Sequence, residues 1–239
     1  MSDRPDAGTP QRSSSAGSRT GLSRARILSA GMELLDREGL DAFSMRRLAQ
    51  ELDVGTMTVY GYFRGKDELL DGIVDEGSQV ILRLIAEAEP QGSWRERMRQ
   101  LMLGIRRSHI EHPAIVELRY KRPLLSPGAL DVTEAGVRIL RDAGLDDRTA
   151  TTMYRMLFVY TFGYSAFGPG AGSAGERDQA LAALRTLPPD RYPVLAGAAE
   201  EAADSMADRS LYELGLDAML DGLEDRLDRA DDPAPKTEP

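Results

Sequence analysis

Four hydroxyl side chains, Thr56, Thr58, Tyr60 and Tyr62, fall within seven residues. Basic residues flank them, with Arg46 and Arg47 before and Arg64 and Lys66 after. Hydroxyls donate to phosphate oxygens and reach base edges, and cationic side chains neutralise phosphate charge. The set could therefore hold a nucleic acid. Other chemistry is poorly supplied. The chain has no cysteine, which excludes a disulfide framework, a thiolate metal site and a cysteine nucleophile. Its two histidines are His109 and His112. His112 precedes a proline at a helix boundary and arginines crowd the pair, so no metal site and no cofactor are expected. There is no paired-carboxylate motif, no GxSxG turn and no phosphate-binding glycine loop, so the chain does not read as an enzyme.

The surrounding pattern is helical throughout, and the expected fold class is all-α. Residues 1–21 read as a disordered tail with Pro5, Pro10, Gly8, Gly17 and three successive serines. Its Arg4, Arg12 and Arg19 leave two readings open, a solvated tail or an arm that touches phosphates. A first helix runs from Ser23 to Glu38, with Ile27, Leu28, Gly31, Leu34 and Leu35 on one face, Ser23 as cap and Gly39 as stop. Ser44 caps a second helix to Leu52. Thr56 to Phe63 makes a third, and Lys66 opens a long fourth that ends before Pro90. Two short helices joined by three residues have the geometry of a helix-turn-helix, whose second helix enters the major groove. Lys66, near a helix N-terminus, joins its charge to free backbone N–H groups.

The segment FSMRRLAQELDVGTMTVYGYFRGKDELL resembles the DNA-binding domain of the TetR (tetracycline repressor) family of bacterial transcription regulators. The resemblance covers about Leu22 to Asp75. It implies that Tyr60 and Lys66 grip phosphates and that Thr56, Met57 and Thr58 face base edges, joined by Arg46 from the supporting helix. Ser44 would cap that helix and reach a phosphate, and Tyr62 adds its hydroxyl to the same surface. Two positions depart from the family. Asp53 stands at the usual turn glycine, a conformation that aspartate tolerates. Gly61 replaces a bulky residue and costs about 1 kcal/mol of helix propensity. Some alternatives stay open: Tyr60 as core, Met57 as apolar cover, and Arg47 as an ion-pair partner rather than a reader.

Residues 76–229 form a second helical body, with helices expected near 93–109, 113–120, 128–142, 147–167 and 208–227, and a further one at 177–187 within a loop-rich stretch. It resembles the tetracycline-repressor-like C-terminal domain, which implies dimerisation and binding of a small ligand. The helix at 147–167 is apolar nearly all round and must be buried on more than one side. Phe158 and Phe162 on it, with the stripe Tyr212, Leu216, Met219, Leu220 and Leu223 on the last helix, are the expected dimer interface. A well-filled monomeric core is the other reading of that stripe. The expected ligand pocket uses Met102, Ile105, Leu118, Met153, Leu157 and Tyr160, with His109, Arg119 and Tyr120 as polar groups around a largely apolar small molecule. Nothing near Leu118 matches the tetracycline–magnesium site, so tetracycline is not the expected ligand.

The whole reads as a homodimeric regulator, a repressor released by ligand from a palindromic operator on double-stranded DNA. Residues 230–239 are an acidic, proline-rich tail. Met1 to Arg19 lacks the apolar segment of a secretory leader, and no apolar run approaches the roughly 18 residues of a membrane span. The expected location is the cytoplasm, with no membrane partner. The chain has 239 residues and a net charge of −9, which alone argues against nucleic acid. The charge is uneven, however. Basic and acidic residues balance at ten each over residues 1–70, so the whole deficit falls on residues 71–239. Acidity at that end would turn DNA towards the other.

Overall fold

The computed structural model describes residues 21–87, 92–121, 126–167 and 175–231. The expected tails fall outside these, apart from Gly21 at one end and Ala230 and Asp231 at the other. Among the described residues there are twelve helices and no strand. The first four build a head: α1 (Arg24–Ala42), α2 (Met45–Glu51), α3 (Thr56–Tyr60) and α4 (Lys66–Glu87). Ser23 caps α1 by accepting from Arg26 N, and Ser44 caps α2 by accepting from Arg47 N, each at 3.2 Å. Gly39 breaks α1 at φ +77°, as its position after Glu38 implies. The predicted face of α1 is buried in full and meets Leu48, Val59, Phe63, Leu69 and Ile73. Each such side chain contributes about 1.5–3 kcal/mol on burial. α1 crosses α4 closely at Gly31, where a Cβ would sit 2.8 Å from Ile73.

The body holds α5 (Trp94–Glu111), α6 (Pro113–Lys121), α7 (Pro127–Asp142), α8 (Asp147–Phe167), α9 (Glu176–Arg185), α10 (Pro193–Gly197), α11 (Ala199–Ala207) and α12 (Leu211–Asp231). Its core gathers Met98, Leu101, Met102, Ile105, Leu157, Leu216 and Leu220 from α5, α8 and α12. Arg99 fixes the register of α5 on α12 through Asp217 at 2.9 Å and Glu213 at 2.6 Å.

Three details differ from expectation, and a fourth joins the two domains. α3 stops at Tyr60, because Gly61 N–H already caps the carbonyls of Met57 and Thr58. α12 starts at Leu211, because Asp208 first accepts from Ser210 in a tight turn. α10 and α11 lie in a stretch with no large apolar period; α11 buries only Ala199 and Ala203. Finally, no break separates head from body at residue 75. α4 runs straight through, and Ala114, Ile115 and Leu118 of α6 pack into the head core. Asp36 of α1 completes this seam, accepting from His112 Nδ1 at 2.7 Å and from Ala114 N at 3.3 Å.

Candidate nucleic-acid interface and buried polar cluster

The turn between α2 and α3 is closed by Val54 N–H on Ala49 O at 3.0 Å, with Asp53 at φ +53°. Aspartate thus holds the left-handed position that glycine would fill. Val59 and Phe63 are buried and anchor the α3 segment. That anchoring sets the opposite face outward. Met57 is 80% exposed and Tyr60 is 45% exposed, so Tyr60 is not core. Thr58 is exposed and Thr56 half-buried. Arg46 is exposed on α2, and Gln50, one turn further on, adds a polar group that spacing alone did not single out.

Arg47 is an ion-pair residue, meeting Glu38 at 2.6 Å and Glu51 at 3.1 Å. Glu38 is held below the usual carboxylate range, chiefly by its hydrogen bond from Arg47. Two expected contacts are already committed elsewhere. Tyr62 Oη donates to Leu22 O at 3.0 Å, which uses its only proton and leaves none for a phosphate. Lys66 Nζ donates to Phe43 O at 2.7 Å and Leu40 O at 3.2 Å. It therefore ties α4 to the end of α1 and keeps one of three N–H bonds for an anion. Ser44 is exposed, but its hydroxyl oxygen is engaged in capping.

A second group of polar side chains lies inside the body. His109 on α5 is 3% exposed and neither ring nitrogen has a hydrogen-bond partner. Arg119 Nε on α6 and Tyr154 Oη on α8 are buried and equally unpartnered. Thr133, close to Tyr154, donates to Ala129 O, and its oxygen is a nearby acceptor for the phenol. Burial pushes His109 down to about 3, with the Arg119 charge adding to the effect. Burial also lowers Arg119 to about 10. At neutral pH the imidazole is therefore neutral and the guanidinium charged. Phe162 packs edge-on to His109 at 5.8 Å, and the Arg119 guanidinium lies 5.8 Å from the Phe158 ring centre. Arg106, one turn from His109, lies over Tyr212 at 4.3 Å, and its Nε is also buried without a partner.

The head and the body each match a known family profile. Residues 27–73 match "Bacterial regulatory proteins, tetR family", and residues 86–227 match "Tetracyclin repressor-like, C-terminal domain". The chain belongs to the TetR family. Among its TetR relatives is the HTH-type transcriptional repressor DrrR1 of Streptomyces coeruleorubidus, 30% identical over 88% of this chain and 80% of that protein. An HTH-type transcriptional regulator of Saccharopolyspora erythraea is 32% identical over 74% of each. Apo ActR of Streptomyces coelicolor has a TM-score of 0.72 at 30% identity, covering 89% of this chain and 100% of that one. The ActR complex with actinorhodin has a TM-score of 0.69 at 31% identity, covering 86% and 98%. The chain is thus a TetR-family transcriptional regulator with a helix-turn-helix DNA-binding head.

In this TetR body the expected pocket residues separate. His109 and Arg119 meet, and Met102, Ile105 and Leu157 are buried in the body core. Met153 packs partly buried on that core. Tyr160 stacks on Tyr212 at 5.5 Å and donates to Tyr212 O at 3.1 Å. Leu118 faces away into the head core with Ala114 and Ile115, which share one face of α6, while Arg119, about 100° further round the helix, meets His109. Tyr120 is 78% exposed and lies outside the group. Tyr154 joins it instead, beside Arg119, and Arg106 lies over the neighbouring Tyr164 and Tyr212 rings; spacing carries no sign of either.

The expected dimer stripe also turns inward. Tyr212, Leu216, Leu220 and Leu223 are buried within the protomer, where α12 packs on α5 and α8, and Met219 packs partly buried beside them. Phe158 and Phe162 face Arg119 and His109. The faces left outward are narrower. α8 presents Met156 and Val159 with Gly163, and α12 presents Leu214, Ala218 and Gly222. Among the described residues no helix is long and apolar enough to cross a membrane.

Proposed function

We propose that the protein is a homodimeric repressor that leaves a palindromic operator when a small molecule enters the body. The observation that carries this is α6. Its Ala114, Ile115 and Leu118 belong to the head core, while Arg119 belongs to the buried polar cluster. One nine-residue helix thus touches both functional regions. A ligand that favours one position of α6 would alter the placement of α1 and α4, and with them the spacing of two recognition helices. Such a ligand acts only through its different affinity for the two arrangements. The DNA contacts fall to Arg46, Thr56, Met57, Thr58 and Tyr60, with Lys66 giving its remaining N–H to a phosphate. DrrR1 bears the name of a repressor and ActR is seen with a small molecule, which supports both halves of the reading.

Dimerisation rests on the outward faces of α8 and α12. Small residues there, Gly163, Ala218 and Gly222, let helices of a second copy approach closely around Met156, Val159 and Leu214. A palindromic site requires two recognition helices in fixed relation.

A mobility-shift assay on DNA adjoining the protein's own gene tests the proposal. Tight binding that weakens steeply with salt, and is lost in Arg46→Ala with Tyr60→Ala, supports it. Absence of specific binding across a random-site selection would overturn it.

A further inference from the structure

The buried cluster constrains its ligand further than "small and apolar". The ligand class rests on the proposed reading that the body binds an effector there. A guanidinium N–H withdrawn from water without an acceptor is unfavourable, and other arginines of the protein avoid it. Arg99 and Arg138, on the outside, each meet a carboxylate, at 2.6 and 2.7 Å. Arg119 has no such partner at Nε, and neither has Arg106. Among the described residues no carboxylate joins the group formed by His109, Arg119 and Tyr154, so the Arg119 charge is uncompensated there and the region disfavours cations.

The neighbouring side chains are aromatic. Phe158 and Phe162, one turn apart on α8, hold their rings within 18° of parallel at 6.2 Å. Such faces take a flat π system in offset contact. His109 and Tyr154 supply donor and acceptor capacity for hydroxyl or carbonyl groups on that frame.

We propose that the cluster binds a planar aromatic carboxylate, with its anionic oxygens on Arg119 and its rings against Phe158 and Phe162. Charge-assisted bonds to a guanidinium are roughly twice as strong as neutral ones, so the acid is preferred to its amide. A flexible aliphatic acid supplies the charge but not the flat surface.

Calorimetric titration of the full-length protein with four probes tests this: 2-naphthoate, anthraquinone-2-carboxylate, anthraquinone-2-carboxamide and decanoate. At least one aromatic acid should bind, at least about tenfold more tightly than the amide and than decanoate. Arg119→Met should remove the preference over the amide, and Arg119→Lys should restore part of it. Circular dichroism verifies that each variant is folded. The wild-type comparison of acid with amide needs no variant at all. Equal affinity for acid and amide, equal affinity for decanoate, or no binding by either aromatic acid would each overturn the proposal.

A parallel mobility shift separates this from the effector reading. Tight acid binding at Arg119 with no effect on DNA leaves the ligand class standing and removes the coupling. DNA release by amide and acid at equal concentration keeps the coupling and removes the ligand class.

Discussion

Asp36 in the head holds His112 in the body, with its carboxylate 2.7 Å from Nδ1. A carboxylate only accepts, so the contact places the ring proton on Nδ1. The same carboxylate accepts from Ala114 N, one of the orphan donors at the start of α6. Asp36→Ala removes both ties. We expect a loss of about 1 kcal/mol in urea denaturation, the usual value of a helix N-cap. Asp36→Asn keeps an acceptor for Ala114 and should lose less.

His109 makes stability depend on acid. Its folded value of about 3 lies below the ordinary histidine value of about 6.5. As pH falls below the latter, the unfolded chain takes a proton that the folded chain refuses, so stability drops. The loss grows until pH reaches the folded value. At pH 5 it amounts to about 2 kcal/mol. His109→Gln cannot titrate, so the variant should lose that much less between pH 7 and pH 5 in matched denaturation curves. Parallel wild-type and variant profiles over that range would contradict the burial of this ring.

Asp53 sits at φ +53° in the helix-turn-helix turn. Glycine adopts that conformation without a Cβ penalty. Asp53→Gly should gain up to about 1 kcal/mol, with part of the benefit offset by the freer unfolded chain. Operator affinity should stay within about twofold, because Asp53 is not among the proposed DNA contacts. Thermal melting and a mobility shift read the two quantities.

Met156 is 50% exposed and Leu214 is 66% exposed in the protomer. Arginine at either place has room to extend into solvent and should leave the protomer folded. If the outward faces of α8 and α12 join two copies, Leu214→Arg buries a charge at that interface. Sedimentation at micromolar concentration should then give half the wild-type mass, and operator binding should fall at least tenfold. A wild-type mass already equal to one chain would overturn the homodimer.

The head was largely legible from its residues, because its signals are local. Ser23 and Ser44 cap helices by bonds to residues three positions away, and Gly39 and Asp53 declare turns by backbone conformation alone. The body was less so. The period of Tyr212, Leu216, Leu220 and Leu223 reveals a buried face, but periodicity is silent on whether the protomer or a second copy covers it. Tyr62 and Lys66 look free in a sequence because their acceptors, Leu22 O, Leu40 O and Phe43 O, are backbone groups of distant residues. Arg106 and Arg119 resemble any surface arginine until the fold buries their Nε atoms away from an acceptor.

The fastening of Lys66 to the end of α1 has a mechanical consequence. With that tie and the Gly31 crossing, α1 and α4 form one rigid block that carries α3 with it. α4 has 22 residues and is about 33 Å long. A tilt of roughly 5° at its far end therefore sweeps the near end through about 3 Å. That is close to the rise of one base pair, about 3.4 Å. Under the proposed coupling no large rearrangement is needed: the length of α4 would amplify a small tilt into a misregister of about one step on DNA.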